Sequence, residues 1–74
     1  MSAVHLSVLK ALKDAPVAKN RLTTLIGKKI EEVENYIMPV LLSSTEDQAS
    51  MVRVTNKGFE ITATGTNELK KRGL

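Results

Sequence analysis

The stretch Ile26–Leu42, IGKKIEEVENYIMPVLL, decides how the rest of the chain is read. It begins beside Gly27, which suits the left-handed residue that stops a preceding helix. After Lys28 and Lys29, apolar residues recur at Ile30, Val33, Tyr36, Ile37, Val40 and Leu41. Steps of three and four place them on one face of a helix. Glu31, Glu32, Glu34 and Asn35 take the opposite face. Pro39 falls inside this pattern, where a proline removes a backbone hydrogen bond and bends a helix at a cost of about 3 kcal/mol.

Toward the N-terminus, residues 18–26 predict a short helix that Gly27 closes. Leu22, Leu25 and Ile26 form its buried face, Lys19 and Arg21 point outward, and Val17 packs back at its start. Residues 2–14 predict a first helix, with Ser2 at its cap and a stripe of His5, Val8, Leu9 and Leu12. Lys10 and Lys13 lie on its wet side, where the helix dipole favours cations. Pro16 ends it, because the residue before a proline avoids the α region. His5, the single histidine, has no second ligand nearby and is assigned to packing or the helix surface. A short helix, a glycine-closed turn and a longer helix make a helix-turn-helix.

Toward the C-terminus, residues 43–50 (SSTEDQAS) lack periodicity and predict a loop. The pattern then switches to period two in residues 51–55 and 59–62, around Asn56-Lys57-Gly58. That predicts a hairpin in which Gly58 supplies a positive φ. Its register stays open. A two-residue turn pairs Val54 and Val52 with Phe59 and Ile61, or with Ile61 and Ala63; a three-residue turn opposes Thr55 to Phe59. Thr62 then caps a last short helix anchored by Leu69, loaded with Lys70, Lys71 and Arg72 in its final turn and ended by Gly73. The expected fold is α+β: a winged helix, with a three-helix helix-turn-helix core, a two-stranded β-hairpin wing and a short C-terminal helix. It is expected to span residues 1–74 as a single domain.

Composition narrows the partners. The 74 residues contain no cysteine, which excludes a disulfide framework and thiolate metal sites. No apolar run approaches the roughly 18 residues of a membrane span, and the N-terminus lacks a signal-peptide pattern. A soluble, cytoplasmic protein without a membrane partner is the expectation. The net charge of +3 is unevenly spread. Residues 1–27 carry Lys10, Lys13, Lys19 and Arg21 against Asp14, and residues 51–74 carry Arg53, Lys57, Lys70, Lys71 and Arg72 against Glu60 and Glu68. The stretch between is acidic, so cations gather toward the two ends, as a polyanionic partner favours.

From Pro16 to Leu42 the chain resembles the C-terminal winged-helix domain of the Holliday-junction branch-migration motor RuvB. The shared features are Pro16-Val17, Leu22, Ile26-Gly27, Val33-Glu34 and Pro39 two residues before Leu41, at that family's spacing. The likeness resumes in the hairpin at Thr55, Lys57-Gly58 and Thr62. It implies DNA contact led by the wing. Phe59 stands where the family has a second basic residue at the wing tip, and the 43–50 link is longer and acidic. No GxxxxGK[ST] phosphate loop occurs, so nucleotide hydrolysis is not implied.

Two functional readings follow. The first is a small DNA-binding protein, regulatory (as in transcription) or accessory to DNA transactions, that contacts duplex or branched DNA through its phosphates. Its candidate residues are Lys57, Arg53 and Asn56 on the wing, Lys28 and Lys29 at the start of helix three, and Lys19 and Arg21 on helix two. The three glutamates of helix three repel phosphates and make that helix a spine rather than a reader of bases. Phe59 at the hairpin tip is read as packing onto the hairpin base, with base stacking the other use. The second reading is a protein-docking module using the acidic face of helix three and the 43–50 loop, through Glu31, Glu34, Glu46 and Asp47. Met38 and Met51 are read as core filling. Thr23, Thr24, Ser43 and Ser44 are read as helix-surface and capping residues. With no nucleophile–base pair, metal cluster or glycine-rich cradle, neither an enzyme, a cofactor nor a small-molecule substrate is expected.

Overall fold

The computed structural model describes residues 2–74, and in it the chain forms four helices and one two-stranded antiparallel hairpin. Helix α1 spans Ala3–Ala11 and α2 spans Lys19–Ile26. Helix α3 is continuous but changes character along its length: Ile30–Glu32 is α-helical, Val33–Ile37 is π-helical and Met38–Leu42 is α-helical again. Strands β1 (Val52–Thr55) and β2 (Gly58–Ile61) follow, and then α4 (Ala63–Lys71).

Helix α1 ends earlier than residue 14. The N–H of Lys13 bonds the carbonyl of Lys10 at 3.2 Å, a tighter turn that closes the helix before Pro16. Ser2 occupies the N-cap, but its hydroxyl pairs with His5 Nδ1 at 2.6 Å instead of capping a backbone N–H. Val8, Leu9 and Leu12 are buried as the stripe requires. Gly27 stops α2 with φ 67°. Of the expected buried face of α2 only Leu22 is fully enclosed, while Leu25 is exposed. Thr23 and Thr24 bond back to the carbonyl of Asn20, as helix-surface residues do.

The π segment revises the predicted stripe of α3. Pro39 has no N–H to donate, and its ring crowds the carbonyl four residues back. Widening the preceding turn relieves that crowding, and the N–H of Met38 reaches five residues back to the carbonyl of Val33. A wider turn lengthens the period, so the buried series becomes Val33, Ile37 and Leu41, joined by Met38. Tyr36 and Val40, expected inside, are 74% and 58% exposed. Of the three residues that follow Pro39, only Leu41 is buried.

The hairpin takes the first of the open registers. Val52 faces Ile61, Arg53 faces Glu60, Val54 faces Phe59 and Thr55 faces Gly58. Asn56 and Lys57 form the turn at negative φ, and Gly58 takes a φ of 119°. A third segment joins the sheet. Val17, between α1 and α2, exchanges both backbone hydrogen bonds with Phe59, each at 2.9 Å. Phe59 is drawn inward by that bridge and is only 8% exposed, so it belongs to the core with Val8, Leu9, Leu12, Leu22, Val52 and Leu69.

Helix α4 starts as expected. The Thr62 hydroxyl accepts the N–H of Gly65 at 3.2 Å and donates to the carbonyl of Ser50 at 2.6 Å. Gly65 itself packs closely: a Cβ there would lie 2.7 Å from Ile61 Cγ1. Because one hydroxyl ties the cap to the end of the 43–50 loop, Thr62→Ala is expected to cost about 1–2 kcal/mol. Thr62→Ser is expected to retain most of that stability, and urea denaturation of the two variants measures the difference.

Candidate nucleic-acid interface

The Val17–Phe59 bridge fixes the hairpin turn against the start of α2. Gly58 is the point of closest approach: a Cβ on it would sit 2.6 Å from the Val17 carbonyl carbon and 2.7 Å from Ala18 Cα. Lys57 is one residue from that contact on the hairpin, and Lys19 is one residue from it on the helix. Arg21 follows in the same first turn of α2. The hairpin turn that carries Lys57 thus meets the N-cap of the helix that carries Lys19 and Arg21, and all three cations are exposed.

The backbone adds to this cluster. Ala18 occupies the N-cap of α2 and has no side-chain acceptor, so no side chain caps the helix there. Serine, threonine, aspartate or asparagine is the usual choice at that position, because the first N–H groups of a helix lack internal partners. The N-terminal end of α2 therefore combines N–H groups without a side-chain cap, the positive end of the helix dipole and two cations of its own, with the hairpin turn packed against its N-cap.

Charge pairing sorts the candidate residues. Arg53 Nε donates to Glu60 Oε1 at 2.6 Å across the strands, so its guanidinium is already partnered. Lys19 Nζ lies 2.5 Å from Glu34 Oε1 on α3. That contact joins a residue expected to bind DNA to one expected to bind protein. Among the described residues, Lys57, Arg21, Lys28 and Lys29 form no ion pair, and Asn56 stands exposed beside Lys57 in the turn. Lys28 and Lys29 lie in the turn between α2 and α3, at the opposite end of α2 from Lys19. That separation is about 12 Å for an eight-residue helix. Lys19 and Arg21 thus lie at the end of α2 that the hairpin turn approaches, and Lys28 and Lys29 lie at its other end.

The acidic candidates fall in two stretches: Glu31 and Glu34 lie one turn apart on α3, where Lys19 engages Glu34, and Glu46 and Asp47 lie beyond the far end of the helix. The exposed positions within α3 are Glu31, Glu32, Glu34, Asn35, Tyr36, Pro39, Val40 and Leu42, and none is a cation.

Two features escaped the sequence. Nothing local marks Val17 as a strand residue, since its partner lies on the distant hairpin. The glycine of Lys57-Gly58 signals a turn, but gives no sign that another backbone passes against it. Among the described residues, no helix is long and apolar enough to cross a membrane. Compared with protein-family models, curated proteins and solved structures, the chain matches none significantly.

Proposed function

We propose that this protein is a winged-helix DNA-binding protein, regulatory or accessory to DNA transactions, with the hairpin as its wing. It grips phosphates with Lys57, Arg21 and Lys19, where the wing turn meets the N-terminal end of α2. The observation that carries this reading is the Val17–Phe59 bridge, which holds Lys57 beside an uncapped helix terminus bearing two further cations. Backbone N–H groups and flexible cations together suit phosphate oxygens. Helix α3, with no exposed cation, is the spine of the fold and not a groove reader. Lys28 and Lys29 extend the contact along the DNA backbone. Arg53, paired with Glu60 across the strands, orders the wing.

The test is titration of a fluorescent DNA duplex at several salt concentrations. Each neutralised phosphate contributes about −0.9 to the slope of log affinity against log salt, so the five contacts of Lys57, Arg21, Lys19, Lys28 and Lys29 predict a slope of about −4.5. Binding that ignores salt, or no binding at low salt, overturns the reading. A second expected result concerns the Lys19–Glu34 pair. Glu34→Gln removes a carboxylate beside the site and frees Lys19, so duplex affinity should rise about twofold to fivefold, the scale of one exposed ion pair. A fall in affinity on that change would contradict the placement of Lys19 in the contact.

A further inference from the structure

The 43–50 loop is more ordered than its sequence implies. Its ends are pinned together, because the N–H of Met51 bonds the carbonyl of Leu41 at 3.0 Å. Within it, Thr45 and Gln48 bond each other through their backbones, with Gln48 N–H donating to Thr45 O at 3.4 Å and Thr45 N–H to Gln48 O at 2.8 Å. The Thr45 hydroxyl accepts from Gln48 N–H as well, at 3.1 Å. This turn encloses Glu46 and Asp47 and leaves both exposed. Between the loop and the end of α3 lies a cleft of about 170 Å³, lined by Val40, Leu41, Thr45, Gln48, Ala49 and Met51.

An apolar cavity of about 150 Å³ accepts a group as large as benzene, so the cleft has room for one large apolar side chain. Its lip is negative, since Glu46 and Asp47 sit between the two lining residues Thr45 and Gln48. Exposed Val40 continues the apolar lining outward toward Tyr36, one turn earlier on α3. A partner complementary to this surface brings one apolar anchor and positive charge on either side of it. We propose that the cleft binds a peptide segment of a partner protein in which a large apolar side chain is flanked by lysine or arginine. The cleft lies at the base of the hairpin, about 13 Å of strand from the turn that carries Lys57, so both contacts can be made at once. The proposal does not rest on DNA binding.

A short labelled peptide with one leucine among lysines is the probe, with leucine-to-alanine and lysine-to-glutamate peptides as controls. Anisotropy should show binding of the first peptide only, and amide shifts should map it to Val40 and residues 45–51. Ala49→Trp fills the cleft from an exposed position and should abolish binding while thermal unfolding stays unchanged. Glu46→Gln with Asp47→Asn should weaken binding about threefold to tenfold, as two exposed charge pairs do. Equal binding of the alanine control, or binding that survives Ala49→Trp, overturns the proposal. Self-association of the protein alone that Ala49→Trp abolishes assigns the cleft to a second copy and overturns it too.

Discussion

Gly58→Ala is expected to cost about 3 kcal/mol of folding stability, against about 1 kcal/mol for Gly27→Ala. Both glycines have positive φ, 119° and 67° respectively, so a side chain strains the backbone at each. They differ in what surrounds them. Nothing lies within 4 Å of a Cβ added at Gly27, whereas one at Gly58 meets the backbone of Val17 and Ala18. Backbone atoms cannot rotate away as the tip of a flexible side chain can. Accommodation requires the hairpin to lift from α2, which breaks the two Val17–Phe59 hydrogen bonds. For a domain of this size, about 1 kcal/mol moves the melting temperature by roughly 4–8 °C. Gly58→Ala should therefore lower it by more than about 10 °C, and Gly27→Ala by much less. Equal losses at the two positions would show that the hairpin is not clamped to α2. The same variant, assayed where it remains folded, should bind DNA weakly, because Lys57 leaves its place beside Lys19 and Arg21.

Phe59→Ala is expected to cost about 3–5 kcal/mol, the range for removing a buried aromatic ring. At 8% exposure, Phe59 fills the gap between the hairpin, the Val17 segment and the helical core. Phe59→Leu keeps most of the apolar volume and should cost far less. The two uses of this residue predict opposite patterns. A ring stacked on bases would leave stability nearly untouched and lower DNA affinity in both variants. A core ring makes stability fall steeply in the alanine variant, while the leucine variant, still folded, binds DNA as the parent does. Chemical denaturation with a DNA titration on each variant separates them, and the burial of the ring points to the core.

The parts of the fold legible in the sequence are those decided by neighbours in the chain. Gly27 stops a helix, Thr62 starts one, and the period-two run around Asn56-Lys57-Gly58 turns into a hairpin. Each is local chemistry. The register required the tertiary structure, because Phe59 pairs with Val54 on one edge and with Val17 on the other. The buried face of α3 departs from a simple helical period for a different reason. A period of 3.6 places Tyr36 and Val40 with Val33 and Ile37, but the π turn ahead of Pro39 lengthens the spacing to the four-residue steps Val33, Ile37 and Leu41. The proline was visible, whereas the way the backbone accommodates it was not.

The candidate interface was legible in the same uneven way. Lys57, Lys19 and Arg21 each stand out as a surface cation, but only the bridge through Val17 sets the turn that carries the first against the start of the helix that carries the other two. Conversely, Arg53 and Lys19 looked equally free in the sequence, and the structure gives each a carboxylate partner, Glu60 and Glu34. Ion pairing between elements is settled by packing and leaves no trace in spacing. The acidic residues of the docking reading fall in two stretches, Glu31 with Glu34 on α3 and Glu46 with Asp47 in the loop, and the second pair borders a cleft.

The measurement that bears most directly on the central claim is the salt dependence of duplex binding for the double variant Lys57→Ala, Arg21→Ala beside the parent protein. Neither residue is buried or paired, so the fold should persist, as circular dichroism can verify. Loss of two of the five phosphate contacts should bring the slope from about −4.5 to about −2.7 and weaken binding severalfold at low salt. A slope and affinity unchanged from the parent would contradict the claim that the wing turn and the start of α2 form the DNA contact.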